Sequence, residues 1–244
     1  MKLVDLPVGE PGPGEIRIRH HACGLNFIDV YHRTGAYPLA LPFTPGVEGA
    51  GLVDAIGDGV TDFAVGDRVA YAGPIGGYAE ARLIDADRLV RLPPAIGFDQ
   101  AAAMMLKGMT ARMLIRTIYA VKRGDTILVH AAAGGVGLIL CQWAAKLGAR
   151  VIGTVSSEAK AALAAANGCH HPIVTAQSDF VAEVLRITDG EKLPVVYDSV
   201  GRDTFLRSFD CLAPRGMMVS FGQSSGAVEP FAPGLLAQKG SLFL

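Results

Sequence analysis

Residues 126–155, TILVHAAAGGVGLILCQWAAKLGARVIGTV, carry the reading on which the fold turns. From Thr126 to Ala145, twenty residues contain no Asp, Glu, Lys or Arg, a length that would span a bilayer. Glycines interrupt the run, however, and its two halves differ in periodicity. A buried strand, a tight turn and a buried helix fit better than a membrane span. Against the template G-x-G-x-x-G, Gly134 fills the second slot, Gly137 the third and Ala132 the first, with Gly135 and Val136 between. The second glycine lets backbone approach a pyrophosphate, and the third lets helix and strand pack closely. Backbone N–H groups and the helix dipole then face the phosphates. Ala132 in the first slot requires a negative φ there. The strand before the motif and the strand ARVIGTV after it favour a dinucleotide site over a glycine turn in a ligand-free domain.

Working outward, DTILVHA, ARVIGTV, HPIVT, LPVVYDSV, GMMVSFG and GSLFL are six short apolar runs separated mostly by helix-compatible stretches. That alternation predicts an α/β unit, a Rossmann doubly wound parallel sheet over residues 106–244 with GSLFL as its sixth, edge strand. Residues 1–105 read differently. GEIRIRHHACGL, GAGLVDAIGDGV, DRVAYAG, GYAEARLID and RLVRLP are short strands punctuated by Gly, Pro and Asp, which predicts a β-rich domain. Helix patterns lie between Asp99 and Met105 and again around Thr110–Tyr119.

Composition sets the outer bounds. The 244 residues are 50% hydrophobic and 18% charged with a net charge of −1, which excludes disordered and fibrous classes. No basic patch points to nucleic acid or a membrane surface. Cys23, Cys141, Cys169 and Cys211 form no CxxC pair, and the N-terminus has no apolar signal region, so reduced thiols and a cytoplasmic location are expected. The six histidines show no metal-binding spacing on a helix.

The second strand of the dinucleotide unit decides which cofactor fits. NAD sites place an acid there, against the ribose 2′-hydroxyl. This chain has Val155-Ser156-Ser157 instead, with Lys160 one helical turn on. Hydroxyls, free N–H groups and a cation suit a 2′-phosphate, so NADP(H) is expected. Glu158 is the discordant neighbour. Ser156 also reads as the N-cap of the helix EAKAALAAA, and both roles are compatible.

Gly124-Asp125, AAAGGVG and Gln142, with GLNFIDVYHRTGAYP, PGVEGAG, GDRVAY, LKGMTA, VVYDSVGRDT and SFGQSSGAV, resemble the zeta-crystallin-like NADPH:quinone oxidoreductases of the medium-chain dehydrogenase/reductase superfamily. The resemblance covers essentially the whole chain. It implies a GroES-like catalytic domain before the Rossmann domain, with the cofactor in the cleft. Asn26, Asp29, Tyr31 and Tyr37 would line the acceptor side, Asn26, Tyr31 and Tyr37 as orienting or donor groups. Lys107 and Thr110 would place the cofactor. Ser199 and the turn Ser220-Phe221-Gly222-Gln223 would lie near the nicotinamide half. Each of these also has a plainer reading as turn, packing or solvated residue. Zinc-bearing relatives carry Cys where this chain has Asn26, and His where it has Val47, so zinc-independent chemistry is implied.

The resemblance further implies a homodimer joined through the Rossmann edge strand. Relatives run to roughly 320 residues, so the chain reads as truncated at both ends, with an exposed edge strand that lowers stability and weakens turnover. The expected function is transfer of reducing equivalents from NADPH to a quinone. Two alternatives stay open: reduction of an enone or alkenal, and non-catalytic NADPH binding of the crystallin kind. Thr175, where some relatives have tyrosine, weighs slightly against NADP.

Overall fold

The computed structural model describes all 244 residues. They divide into two compact units, Met1–Lys107 and Gly108–Leu244. No helix is long and apolar enough to cross a membrane.

The first unit is built on a five-stranded antiparallel sheet. Its strands are β1 (Glu15–Cys23), β2 (Glu48–Ile56), β3 (Arg68–Ala72), β4 (Ala81–Asp85) and β5 (Val90–Arg91), in the order β4-β1-β2-β3-β5. The alternation in EIRIRH puts Ile16 and Ile18 on one face, where they pack with Val53, Val69, Tyr71 and Ile84. Helix α1 (Phe27–Thr34) follows β1. Asn26 and Asp29 form a capping box at its start, and Gly35 ends it at φ 79°, a left-handed cap that glycine adopts without strain.

The second unit carries five parallel strands: β6 (Thr126–Val129), β7 (Arg150–Val155), β8 (His171–Val174), β9 (Leu193–Asp198) and β10 (Leu212–Ser220). Their order, β10-β9-β6-β7-β8, is the doubly wound arrangement, reversing direction between β6 and β9. Helices α3 (Gly135–Lys146), α4 (Glu158–Ala166), α5 (Phe180–Ile187) and α6 (Phe205–Ser208) connect the strands, with α7 (Gly234–Gln238) near the end. Alternate strand residues feed two separate cores. Ile127, Val129 and Val151 pack with Leu140 and Ala144 of α3, whereas Leu128, Ile152 and Val196 pack with Phe180, Val184 and Phe209. Both faces are therefore covered, as a parallel sheet requires.

Two expectations need correction. The separate helix patterns at 99–105 and 110–119 are one helix, α2 (Phe98–Arg112), continued by a π-helical turn over Met113–Ile118. The apparent break is a change of core. Ala101 and Ala102 pack with the first unit, Ala111, Leu114 and Ile115 with the second. GSLFL is not a strand. Ser241 takes a left-handed φ of 54°, and only Phe243 pairs with Met217 of β10, in a single parallel bridge.

Candidate functional site

The turn between β6 and α3 is built as the glycine motif requires, with one difference. The left-handed residue is Ala131, at φ 52°, and not the first-slot Ala132. A β-carbon on Gly137 would lie 2.3 Å from the Ala131 carbonyl oxygen, so only glycine lets α3 seat this closely on the turn. Gly153 on β7 serves the same purpose from below, since a β-carbon there would lie 2.5 Å from Ala132 Cβ. Gly134 caps α3 in an extended conformation. Intrahelical bonding resumes with Leu138 N–H donating to Gly134 O at 2.9 Å. The N–H groups of Gly135, Val136 and Gly137 precede that bond and are the donors a helix start leaves free.

Beside this turn lies a cavity of about 380 Å³ at the carboxyl ends of the parallel strands. Ala131, Ala133 and Gly134 line it from the turn, Thr154 and Val155 from the end of β7, Ser156 from just beyond it, and Thr175 and Ser178 from the segment after β8. Lys160, Phe180, Val200, Asp203, Thr204 and Arg207 complete it. Lys160 Nζ donates to Ser156 Oγ at 3.0 Å, which joins two of the residues expected at a 2′-phosphate. The N-cap of α4 is Ser157, not Ser156: Ser157 Oγ accepts from Lys160 N–H at 3.4 Å. Ser157 does not line the cavity, and neither does Glu158. Arg207 pairs with Asp179, and its guanidinium lies 4.9 Å from the Phe180 ring centroid.

A histidine that sequence reasoning passed over sits beneath the cavity. His130 is buried, with Nδ1 2.8 Å from Thr154 Oγ1 and Nε2 2.8 Å from Ser208 Oγ. The Ser208 hydroxyl donates to Thr204 O at 2.8 Å, so it accepts from Nε2–H, and Nδ1 accepts from Thr154. Thr204 Oγ1 in turn donates to the buried Asp198, at 3.0 and 2.9 Å to its two oxygens. Burial holds the imidazole at a pKa of about 4, with Asp198 opposing the shift. The network ties the ends of β6, β7 and β9 to α6. Its members are separated by up to 78 residues, and no local pattern announces them.

Ser199, Phe221, Gly222 and Gln223 come together at the ends of β9 and β10. A β-carbon on Gly222 would lie 2.9 Å from Ser199 O, and Ser224 N–H donates to that same oxygen at 3.1 Å. They do not line the cavity. Thr110 lies on α2, in the second unit, half-buried.

In the first unit, Asn26, Asp29, Tyr31, Tyr37 and Lys107 were the expected residues. Asp29 is buried at the third position of α1; its Oδ2 accepts from Asn26 N–H at 2.9 Å and from the Tyr78 hydroxyl at 2.7 Å. Burial and the adjacent Asp29 push the Tyr78 hydroxyl well above the usual phenol range. The rings of Tyr31 and Tyr37 lie 5.0 Å apart, Phe27 lies 5.1 Å from Tyr31, and Tyr37 is 42% exposed. Tyr37 N–H donates to Tyr31 O at 3.2 Å, which holds the pair as a unit.

The expectation that Asn26 donates to an acceptor is corrected. Its Nδ2 donates to Glu48 Oε2 at 2.7 Å and approaches Gly24 O at 3.4 Å. Both neighbours are acceptors, so the amide hydrogens point inward and an orienting role remains. Glu48 is the residue that sequence reading missed. Its only local signal is a lone carboxylate in the otherwise apolar run GVEGAGLV. Lys107 Nζ lies 3.1 Å from the same Glu48 oxygen, so Lys107 is ion-paired rather than free.

Zinc does not fit here. Asn26 turns its N–H groups inward, Val47 is a buried isopropyl group, and no group of three or more His, Cys, Asp or Glu side chains in the structure could hold a metal.

A family model described as "Alcohol dehydrogenase GroES-like domain" matches residues 12–94, and one described as "Zinc-binding dehydrogenase" matches residues 135–243. A quinone oxidoreductase of Pseudomonas aeruginosa is 54% identical over 242 residues, covering 98% of this chain and 74% of that protein. A 2-haloacrylate reductase of a Burkholderia species is 47% identical over 248 residues, covering 98% and 74%. The crystal structure of Escherichia coli quinone oxidoreductase complexed with NADPH superposes with a TM-score of 0.96 at 50% identity, over 98% of this chain and 74% of that one. With a 54% identical relative and a TM-score of 0.96 over nearly its whole length, the chain belongs to the zeta-crystallin-like quinone oxidoreductases of the medium-chain dehydrogenase/reductase superfamily.

Proposed function

We propose that the chain is a zinc-independent oxidoreductase that uses NADPH to reduce a quinone. The observation that carries the reading is the cavity beside the glycine turn, where Ser156 and Lys160 stand in place of an acid at the end of β7. The N–H groups of Gly135, Val136 and Gly137 hold the pyrophosphate, and Ser156 and Lys160 hold the 2′-phosphate. Thr175 and Arg207 bound the adenosine end. Lys107, Thr110, Ser199, Phe221 and Gly222 serve the nicotinamide half. NADPH, when bound, supplies the reducing equivalents.

With no metal in the mechanism, the acceptor oxygen is polarised by hydrogen bonds. The hydroxyls of Tyr31 and Tyr37 are the donors in this reading, and Asn26 orients the start of the helix that carries Tyr31. A quinone is electron-poor, so modest donors suffice. The 2-haloacrylate reductase among the relatives favours a second substrate class on the same scaffold, conjugated carbonyls. Four free cysteines support a cytoplasmic location. A homodimer through the edge of the second sheet is supported by the apolar groove beside β10, where Met217, Phe231, Phe243 and Leu244 gather. Sedimentation measurements decide the oligomeric state.

Steady-state kinetics with a panel of quinones and enones test the function. Tyr37→Phe is expected to lower kcat about tenfold while leaving the NADPH dissociation constant within twofold, because a donor used in the transition state shows in turnover. Tight NADPH binding with no turnover of any acceptor would turn the reading to non-catalytic binding.

A further inference from the structure

The reaction described above gives Glu48 no task, yet its carboxylate is wholly buried at the head of β2. Three donors reach it. Oε1 accepts from Leu106 N–H at 2.8 Å, and Oε2 accepts from Asn26 Nδ2 at 2.7 Å and from Lys107 Nζ at 3.1 Å. The surrounding backbone is shaped for this side chain. A β-carbon on Gly24 would lie 2.2 Å from Oε2 and 2.1 Å from Ala102 O. Gly24 N–H also donates to the Glu48 carbonyl at 3.0 Å. Three stretches distant in sequence, at 24–26, 48 and 106–107, therefore meet on one carboxylate.

We propose that Glu48 is a positioning residue for quinone reduction, holding the Asn26 amide, the Lys107 ammonium and the α2 backbone in a single arrangement. The proposal rests on the reading of the protein as an NADPH-dependent quinone reductase. An ionised carboxylate is acceptor-only, so it satisfies three donors at once; an amide of the same shape would turn its own N–H groups on one of them. The effect passes along α1. Asn26 precedes that helix, and Asp29 Oδ2 accepts from both the Asn26 N–H and the Tyr78 hydroxyl. Five residues after Asn26, Tyr31 holds Tyr37 through its carbonyl. Release of Asn26 loosens the base of the element that aims both tyrosines. A displacement of about 1 Å in such a site costs on the order of a hundredfold in rate.

The test is Glu48→Gln in the full chain, with three readouts: NADPH affinity by fluorescence, NADPH oxidation with 1,4-benzoquinone, and hydrogen exchange of the Asn26 side-chain amide by NMR. Positioning predicts that kcat falls at least about tenfold while NADPH affinity stays within threefold, and that the Asn26 amide exchanges at least about tenfold faster. Kinetics within twofold of the parent overturn the proposal, as does an equal loss in kcat and NADPH affinity. If Glu48→Gln alone does not fold, Glu48→Gln with Lys107→Met removes the unpaired ammonium, and parent-like turnover in that variant also overturns it. A parent protein that neither binds NADPH nor reduces quinone defeats the functional reading instead. In that case an unchanged Asn26 exchange rate removes the anchor as well, whereas a faster one leaves the anchor standing without the reaction.

Discussion

Lys160 and His130 show how differently single residues act around one cavity. Lys160 is exposed and its ammonium donates to Ser156, so loss of the side chain should leave the fold alone. Lys160→Ala is expected to weaken NADPH about tenfold, or about 1.4 kcal/mol, and NADH hardly at all. Fluorescence titration of both cofactors checks this, and equal losses would remove Lys160 from the 2′-phosphate. His130 acts on stability. Its folded pKa of about 4 lies below the ordinary 6.5 because burial disfavours the imidazolium. Below pH 6.5 the unfolded chain therefore takes up a proton that the folded chain refuses. The stability linked to His130 is complete above that pH and is lost as pH falls toward 4. At about 1.4 kcal/mol per pH unit, the loss is on the order of 3 kcal/mol. Urea unfolding across that range should show the slope in the parent and a flatter one in His130→Gln. A parent with level stability would contradict the buried neutral imidazole.

At the scale of elements, two glycines in helices make opposite demands. Gly137 in α3 meets the backbone of Ala131 and Ala132, which cannot give way as a side chain can. Gly137→Ala is expected to cost about 3 kcal/mol and to abolish NADPH binding as α3 lifts from the turn. Gly108 in α2 has nothing within 4 Å of where a β-carbon would go. Gly108→Ala should raise stability by about 0.5–1 kcal/mol, because alanine loses less backbone entropy in a helix. Thermal melts of the pair check both signs at once. The contrast was half legible in sequence. The G-x-x-G spacing marks Gly137, but Gly108 looks like a break between two helices. Only the packing of Ala101 and Ala111 into different cores reveals one continuous helix.

For the whole molecule, the absent metal is the sharpest expectation. Asn26 and Val47 offer an inward-facing amide and an isopropyl group where zinc relatives have ligands. Quinone reduction should survive prolonged chelation within about 20% of the untreated rate, since no thiolate or imidazole is gathered to hold zinc. Elemental analysis should find well under one zinc per chain. A tightly held stoichiometric zinc would require a different site from any described above.

By itself the sequence determined what depends on local spacing. The strand–turn–helix at 126–146, the strands at 15–23 and 150–155, and the missing acid after Val155 are each set by neighbours a few residues apart. Hydrophobic period and glycine placement act over that distance, so they can be read along the chain. Tertiary structure alone decided which polar groups meet. Glu48 gathers Asn26 and Lys107, His130 gathers Thr154 and Ser208, and Ser157, not Ser156, caps α4. Those partnerships arise because a buried donor or acceptor must find a mate wherever the sheets and helices bring one. The separations, up to 78 residues between His130 and Ser208, leave no periodic trace.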